Sequence, residues 1–241
     1  MEPPKNSPTV LLTTAPAPAR FARLLVVYSC PPKAYSNLER LYTCSEGSRS
    51  QHSRRGESIY AEEIEAINGE SVTLRPPREE DVEKVYEWDR DPELAAWNGR
   101  PPIKISLSAA RRDYLARWEN PSVKTFIIEA REGGAEYEVG EAIGLVTLYD
   151  FKREGCELGI KIGPKDLRGR GYASEAVELL VSYCFETLNL KVVRGSTLAH
   201  NQRMQRVFEK HGFNEVGDGS IISRFDNKRY TEIFYERRRE G

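Results

Sequence analysis

A glycine- and arginine-rich hexapeptide constrains this chain more than any other stretch: Arg168-Gly169-Arg170-Gly171-Tyr172-Ala173. It joins a predicted strand, Glu157 to Ile162, to a strongly periodic predicted helix, Ala173 to Leu188. Two glycines before a helix let the backbone turn tightly and leave successive N–H groups pointing outward. The positive end of the helix and the forked arginine donors add attraction for phosphate oxygens. The hexapeptide therefore predicts a strand-loop-helix unit that binds the pyrophosphate of a nucleotide-tailed cofactor.

The composition describes a soluble globular protein. The chain has 241 residues, of which 39% are hydrophobic and 30% charged, and its formal net charge is −1. This length supplies one sizeable core plus additional segments. The near-neutral charge gives no reason to expect nucleic acid as a partner, and no apolar run approaches the roughly 20 residues that span a membrane. We therefore expect neither nucleic acid nor membrane as a partner, and a monomer or homodimer.

The cysteines and histidines indicate neither disulfides nor a metal site. The four cysteines lack any C-x-x-C spacing, and Cys156 and Cys184 fall at apolar positions of a predicted strand and helix. Small buried side chains explain both better than a disulfide does. The three histidines are scattered and form no metal-binding constellation. A reducing, cytoplasmic setting is the simplest interpretation.

Residues 1–68 differ in character from the rest of the chain. Seven of the 14 prolines fall between Pro3 and Pro32, and a polar stretch follows from Ser45 to Ser58. The strand-like stretch Leu24 to Tyr28 has no obvious partner nearby. An excess of basic over acidic residues resembles a transit peptide, although the prolines oppose an amphipathic helix. We predict a disordered or poorly packed extension over 1–68, with organelle targeting as the alternative, and a folded domain over 69–241.

The order of elements in the domain predicts an α+β fold. Three strands with short connections suggest an antiparallel meander, whereas the helix from Ala173 to Leu188 links the third of them to Lys191–Thr197 as a parallel βαβ crossover. The sheet is therefore expected to be mostly antiparallel and to turn parallel once, at the hexapeptide. The other predicted elements are the strands Ser71–Arg75, Lys124–Ala130, Ala142–Tyr149, Gly155–Ile162, Phe213–Val216 and Tyr230–Tyr235 and the helices Glu79–Asp89, Ser106–Trp118 and Asn201–His211.

The hexapeptide does not fit the common nucleotide motifs. A dinucleotide fingerprint requires a third glycine where the chain has Ser174, and no acid ends the next strand to bind a ribose. Arg194 could meet a ribose phosphate, which keeps an NADP-binding oxidoreductase as an alternative. The sequence G-x-x-x-x-G-K-S/T of a P-loop does not occur.

Arg168-x-x-Gly171-x-Ala173 resembles the Gln/Arg-x-x-Gly-x-Gly/Ala acyl-CoA motif of the GNAT superfamily of N-acetyltransferases. The flanking stretches are also similar to motifs of that family: Glu157-Leu158-Gly159-Ile160 before it, and Asn201 with Glu209-Lys210-His211-Gly212-Phe213 after it. Trp88 to Glu93 resembles the RimJ/RimL-type branch, which includes spermidine acetyltransferases. The resemblance covers roughly Val72 to Tyr235.

The resemblance implies a three-layer fold, with helices on both faces of the sheet, and a site for acetyl-CoA. In this fold the fourth and fifth strands splay apart, and the pantetheine arm lies in the gap much as another strand would. By resemblance, the backbone of Lys161, Ile162 and Gly163 contacts the arm and the side chain of Asn201 meets it. The amides of Arg168, Gly169, Arg170, Gly171, Tyr172 and Ala173 then hold the pyrophosphate. The alternatives are an ordinary turn at Gly163-Pro164 and an ordinary helix cap at Asn201.

The resemblance also implies acetyl transfer to a primary amine, by direct transfer in a ternary complex. The acceptor classes are a protein N-terminus, a polyamine or another small amine. Glu157 is the candidate catalytic base, because a glutamate at this point faces the acceptor cleft in related enzymes; the alternative is a solvent-facing strand residue. A backbone amide near Ile160 to Ile162 is expected to hold the developing oxyanion.

One position departs from the pattern of many relatives. They place a tyrosine in the last helix to protonate the leaving thiolate, and Phe208 stands there in this chain. This departure motivates an alternative function, a catalytically weak or inactive acyl-CoA-binding or sensor domain. The acceptor side is less defined: eight acids between Glu79 and Glu93, together with Trp88, Trp97 and Trp118, either attract and line the acceptor or serve packing and solvation.

Overall fold

A computed structural model describes residues 65–134, 137–224 and 226–240. The strand-like stretch Leu24 to Tyr28 and the segment that resembles a transit peptide lie outside the described residues. The described domain begins slightly before residue 69, because Ile67–Asn68 pairs with the next strand.

The described residues form one eight-stranded sheet, and its strand order is β1-β2-β3-β4-β5-β6-β8-β7. Neighbouring strands are antiparallel except β5 and β6, which are parallel, so the predicted mixed sheet with one parallel βαβ unit is confirmed. The last two strands in the chain are longer than predicted. The strands are β1 Ile67–Asn68, β2 Val72–Arg75, β3 Lys124–Ala130, β4 Ala142–Lys152, β5 Gly155–Ile162, β6 Val192–Leu198, β7 Asn214–Ile222 and β8 Arg229–Arg238.

The helices agree with the predicted positions within a few residues, with one addition. The short helix α2 was not predicted; it begins at Pro92, behind an Asp91 side chain that caps it by accepting the N–H of Glu93 at 2.8 Å. The last turns of the crossover helix widen into a π-helix, Tyr183–Thr187. The helices are α1 Asp81–Arg90, α2 Pro92–Trp97, α3 Leu107–Trp118, α4 Tyr172–Ser182 and α5 Gln202–Lys210.

Two apolar clusters attach the helices to opposite faces of the sheet. Cys156 and Leu158 of β5 point into the larger cluster, which also contains the inner faces of α4 and α5. Leu145 of β4 points to the other face, into a cluster with α1 and α3. Side chains alternate along β5, so Glu157, Gly159 and Lys161 lie on the face covered by α1 and α3. The three-layer arrangement therefore assigns the candidate base and the crossover helix to different faces.

The described part of the chain contains no helix long and apolar enough to cross a membrane. Cys156 and Cys184 are both buried, with their sulfur atoms 3.9 Å apart. They pack in the larger cluster as small apolar side chains.

Candidate active site

The parallel strands β5 and β6 separate partway along their length. They pair at Gly155–Val192, Cys156–Val193 and Glu157–Arg194, and the pairing ends there. Beyond that point β5 stays paired with β4 up to Ile162, and β6 stays paired with β8 up to Leu198. A wedge-shaped gap therefore opens between the two strands directly after Glu157.

The hydrogen-bond register of β4 and β5 determines which backbone groups face this gap. The N–H of Gly163 donates to the carbonyl of Ile143 in the β4 region at 2.9 Å. Because backbone groups alternate in direction along a strand, Lys161 also points its N–H and C=O at β4. Leu158, Ile160 and Ile162 point theirs into the gap. The predicted contacts of the Lys161 and Gly163 backbones with the arm are thereby revised: both residues point their N–H groups at β4, and Leu158, Ile160 and Ile162 face the gap instead.

The loop between β5 and α4 has the open form that its glycines predict. Gly169 and Gly171 have φ of +85° and +99°, a left-handed conformation that favours glycine. A Cβ atom on either would meet no other atom within 4 Å, so the space above the loop is open. Among the described residues, the N–H groups from Gly169 to Ala173 have no hydrogen-bond acceptor. A row of open amides at the N-terminus of α4 fits an anionic pyrophosphate group.

Arg168 differs from the other loop residues. Its amide donates to the carbonyl of Lys165 at 3.1 Å and is therefore already used. Its side chain is 9% exposed and points away from the loop amides. The guanidinium donates to Asp91 at 2.5 Å, to the carbonyl of Ile162 at 3.2 Å and to the carbonyl of Gly163. The expectation that Arg168 holds the pyrophosphate is revised, because both its amide and its side chain have protein partners.

Two residues near the loop, Lys210 and His211, were not predicted to belong to the site. Lys210, at the end of α5, places its Nζ 3.2 Å from the hydroxyl of Ser174, in the first turn of α4. The same hydroxyl lies 2.7 Å from Nε2 of His211. α5 thus brings a cation to the N-terminus of α4, where it supplements the open amides. Only the packing of α5 against α4 reveals this contact, so local sequence carried no signal for it.

Asn201 caps α5. Its Oδ1 accepts the N–H of Met204 at 3.2 Å, as an N-cap residue does. The helix ends at Lys210, and Gly212, two residues later, has the left-handed φ of +70° that the sequence predicts for the stop. The helix-cap interpretation is confirmed, and the cap uses only the oxygen of the side-chain amide.

Glu157 lies at the point where the gap opens. It is half-buried, in register with Arg194 of β6 and Tyr149 of β4. Burial raises its pKa above the ordinary glutamate value, and the neighbouring Asp150 carboxylate raises it further. Asp150 itself adopts a left-handed φ of +48° at the irregular end of β4. A carboxyl group with a raised pKa, at the point where the two strands part, is a stronger base than an exposed glutamate.

Phe208 belongs to the core. Its side chain is 1% exposed and stacks on Tyr235, with ring centroids 4.9 Å apart. The tip of the ring lies over Gly195, the first β6 residue beyond the last β5–β6 pair. A Cβ atom on Gly195 would lie 2.5 Å from the Cζ of Phe208. The phenyl ring therefore fills the apex of the gap on the α5 face but has no proton to donate.

This contact gives a stability prediction for Gly195. In Gly195→Ala the new methyl group must displace the Phe208 ring in a tightly packed cluster, and overpacking of this kind costs about 1–3 kcal/mol. Chemical denaturation is expected to show that loss in the free energy of unfolding. The variant Gly195→Ala/Phe208→Leu should recover part of it, and a Gly195→Ala protein as stable as the wild type would contradict the packing described.

Most of the acids between Glu79 and Glu93 are engaged with basic side chains of the domain. Asp81 pairs with Arg75 at 2.7 Å in a nearly buried contact, and Asp89 pairs with Lys161. Asp89 also accepts the hydroxyl of Tyr114 at 2.6 Å. Asp81 and Asp89 thus join α1 to the sheet.

The three tryptophans pack in different places. Trp88 is 7% exposed, and its indole occupies the space where a Gly163 side chain would lie, within 2.1 Å of the ideal Cβ position. Trp118 stacks on Tyr114. Trp97 instead lies beyond the end of β6, with its ring 5.4 Å from that of His200. Trp88 therefore packs at the end of β5, and Trp97 lies at the end of β6.

An open pocket of about 460 Å³ lies where β6 ends and β8 begins. The ring of Tyr230 is 5.4 Å from His200, and its hydroxyl donates to Asp226 at 2.6 Å. That hydrogen bond lowers the pKa of Asp226 to about 2, so its carboxylate is charged at neutral pH. Arg194, the residue of the NADP alternative, pairs with Glu236 at 3.2 Å. The pocket is lined by Ala96, Ala199, His200, Ser223, Asp226, Arg229, Tyr230 and Thr231.

Comparisons with known proteins agree with this geometry. A model of the GNAT acetyltransferase domain matches residues 71–214, more than half of the chain. The chain is 28% identical to the human protein named alpha/beta-tubulin-N-acetyltransferase 9 over 165 residues, which cover 64% of this chain and 77% of that protein. It is 26% identical to spermidine N(1)-acetyltransferase of Escherichia coli K12 over 150 residues, which cover 61% and 75%.

A solved structure shows the same fold. RimL, a ribosomal L7/L12 alpha-N-protein acetyltransferase in complex with coenzyme A, matches with a TM-score of 0.61 at 15% identity, over 72% of this chain and 98% of that one. The family model, the splayed strands and the open-amide loop lead to one conclusion: the chain belongs to the GNAT family of N-acetyltransferases, resembles its RimJ/RimL branch, and takes its acetyl group from acetyl-CoA.

Proposed function

We propose that this protein transfers the acetyl group of acetyl-CoA directly to a primary amine, with Glu157 as the base. The observation that carries the proposal is the position of Glu157. Its carboxyl group, with a raised pKa, lies at the last paired residue of β5, where the gap between β5 and β6 opens. A thioester held in that gap would have its reactive carbon close to a proton acceptor.

The proposed cofactor contacts follow from the groups that face the gap and the loop. The open N–H groups of Gly169, Arg170, Gly171, Tyr172 and Ala173 would hold the pyrophosphate, with Lys210 adding positive charge. The backbone groups of Leu158 and Ile160 and the N–H of Ile162 would pair with the amides of the pantetheine arm, as a neighbouring strand would, whereas the carbonyl of Ile162 is held by Arg168. Bound acetyl-CoA supplies the activated acetyl group.

Further polar contacts complete the proposed site. Asn201 would present its side-chain NH₂ to the arm, because only its oxygen is used in capping α5. The N–H of Ile160, directed into the gap, is the proposed donor to the thioester carbonyl oxygen, which gains negative charge during attack.

Glu157 would activate the acceptor. An alkyl ammonium group has a pKa of about 10 and is not nucleophilic until it loses a proton. Burial and the Asp150 carboxylate raise the pKa of Glu157, which makes it a stronger base than an exposed glutamate. Departure of the thiolate requires no obligatory acid, since a thiol with a pKa of about 8.5 is a tolerable leaving group. Phe208 in place of a proton donor is therefore compatible with turnover.

The relatives support the acceptor class. The names of the human and bacterial relatives specify tubulin and spermidine, and the structural neighbour acts on a protein α-amine. The acceptors named for these proteins share an amino group, so we propose a primary amine: a protein N-terminus, a polyamine or another small amine. A cytoplasmic location and a monomeric or homodimeric state stay predictions from the sequence.

A panel of amines tests the proposed function. The protein would be incubated with acetyl-CoA and, in turn, N-terminal peptides, polyamines and aminoglycosides, and the free thiol released would be measured. Amine-dependent release with at least one class is expected. Acetyl-CoA binding without release in any arm would favour an acyl-CoA-binding module, and absence of acetyl-CoA binding in calorimetry would overturn the proposal.

The raised pKa of Glu157 predicts a specific pH dependence. Protonation removes the base, so kcat/KM should fall more steeply below a pKa that lies above the ordinary glutamate value of about 4.3. Above that pKa the remaining slope comes from deprotonation of the amine. In Glu157→Gln this change in the slope of kcat/KM against pH should be absent. A change of slope that persists at the same pH in this variant would have to come from another group.

A further inference from the structure

Asp150 contacts the proposed base from an irregular end of the β4–β5 hairpin. The two strands pair at Tyr149 and Glu157, and their register shifts before the next pair, Lys152 with Gly155. Within this irregularity Asp150 has a φ of +48°, a left-handed value at which aspartate and asparagine are enriched among residues with a side chain. On a regular strand Asp150 would point to the face opposite Tyr149. Its carboxyl group instead lies within hydrogen-bonding distance of that of Glu157.

This contact interrupts a row of alternating charges that crosses the sheet. Arg194 of β6 lies in register with Glu157, and its guanidinium pairs with Glu236 of β8 at 3.2 Å. On the other side of Glu157, Lys152 donates to Asp150 at 2.6 Å. Asp150 and Glu157 are therefore neighbours of like charge between two cations. Two carboxyl groups in contact repel each other unless a proton or a cation is bound to them.

The side chain of Lys152 brings a primary ammonium group to this pair of carboxyl groups. Lys152 is 53% exposed, whereas its partner Asp150 is 17% exposed. Burial, and after it Asp150, raises the pKa of Glu157, and the positive charge of Lys152 opposes both. A half-exposed ion pair contributes little to stability and opens readily. The two carboxyl groups are thus accompanied by a displaceable group of the same chemistry as the proposed acceptor, a primary ammonium.

We infer that Asp150 is an acceptor-binding residue: it holds the ammonium form of the incoming amine together with Glu157, and Lys152 occupies this position until the amine replaces it. The inference rests on the proposed role of Glu157 as the base. An ammonium group that donates to Glu157 lies close enough to donate to Asp150 as well, because the two carboxyl groups are in contact. Lys152 and the arriving ammonium carry the same charge, so their exchange leaves the net charge around Glu157 unchanged.

The transfer step then balances with the groups present. One ammonium proton passes to Glu157, and the freed amine forms the C–N bond to the acetyl carbon. The C–S bond breaks, and coenzyme A leaves as a thiolate that takes the surplus proton of the nitrogen. Asp150 stays a carboxylate throughout, so its contribution is to bind the amine and not to accept its proton.

Two substitutions with matched controls separate binding of the amine from a general effect on the hairpin. Asp150→Asn removes one carboxylate and keeps the backbone, because asparagine also tolerates the left-handed conformation. Lys152→Met removes the ammonium group and keeps an unbranched side chain. The controls are Glu154→Gln and Lys191→Met. Glu154 and Lys191 form an ion pair at 2.8 Å between the same hairpin turn and the start of β6, with both side chains exposed.

The test is steady-state kinetics on the full chain, with the amine that gives turnover in the panel. Asp150→Asn is expected to raise KM for the amine about 10- to 100-fold, the loss expected for a hydrogen bond to a charged group, while calorimetry finds the same dissociation constant for acetyl-CoA. Lys152→Met should lower KM for the amine about 2- to 5-fold, because a competing cation is removed. In the Asp150→Asn background this effect of Lys152→Met should be lost. Both controls should behave as the wild type.

The outcomes separate this inference from the proposed function. An unchanged amine KM in Asp150→Asn would overturn the inference but leave Glu157 as the base, provided that Glu157→Gln still lowered turnover. A KM raised by Lys152→Met would also contradict it, because Lys152 would then support Asp150 instead of competing with the amine. The KM of Lys152→Met decides alone if Asp150→Asn does not fold. Absence of turnover with every amine would overturn the proposed function and the inference together.

Discussion

Replacing Glu157 with glutamine is expected to lower kcat by about 10²- to 10⁴-fold while the dissociation constant of acetyl-CoA stays unchanged. Glutamine keeps the shape of the side chain but cannot take a proton from the amine. Its amide is neutral, so the repulsion from Asp150 that raises the pKa of Glu157 disappears. The fold should therefore be at least as stable as in the wild type. Rapid-quench kinetics for turnover and calorimetry for acetyl-CoA binding measure the two quantities separately.

Glu154→Gln is the control for this experiment. Glu154 lies three residues before Glu157, in the turn that leads into β5, and pairs with Lys191 at 2.8 Å in an exposed contact. Its substitution makes the same chemical change outside the gap and is expected to leave kcat unaltered. If Glu157→Gln and Glu154→Gln had equal turnover, Glu157 would not be the base.

Gly171→Ala is expected to weaken acetyl-CoA binding about 10- to 100-fold. Gly171 has φ of +99°, and a residue with a side chain is strained there by about 1–3 kcal/mol. The loop can relieve that strain only by turning its backbone, which redirects the amides between Gly169 and Ala173. The space above Gly171 is open, so the loss would come from conformation rather than from a clash. Calorimetric titration with acetyl-CoA measures it.

Gly140→Ala provides the matched control. Gly140 has φ of +80°, also with no atom within 4 Å of an ideal Cβ, but it lies in the connection between β3 and β4. The same backbone strain is expected to lower the free energy of unfolding without changing acetyl-CoA affinity. Equal loss of affinity in the two variants would show that the effect comes from general destabilisation, and unaltered binding by Gly171→Ala would contradict the loop assignment.

The sequence predicted those parts of the site that depend on local chemistry. Two glycines before an amphipathic helix define an anion-binding loop whatever surrounds them, and Asn201 with Gly212 delimits a helix by capping alone. Helix α2 was missed because six residues carry too little periodicity, although Asp91-Pro92 is a helix-start signal. Its cap residue Asp91 is bonded to Arg168, which lies 77 positions further along the chain.

Long-range packing decides the rest of the site. The direction of the Lys161 backbone follows from the register of β4 against β5, and a shift of one residue would reverse it. Lys210 reaches Ser174 only because α5 packs against α4. The pocket beyond β6 combines residues of α2, the end of β6 and the β7–β8 connection, which no local pattern brings together. These features depend on the tertiary structure and could not be predicted from local sequence.

The most direct test of direct acetyl transfer follows both products of a single turnover. Enzyme in excess over acetyl-CoA would be mixed with the amine found in the panel, and free coenzyme A and acetylated amine would be measured together by mass spectrometry. Transfer in a ternary complex predicts that both appear at the same rate and in equal amounts, with no acetyl group on the protein. Coenzyme A released ahead of the acetylated amine, with acetyl groups found on the protein, would contradict it.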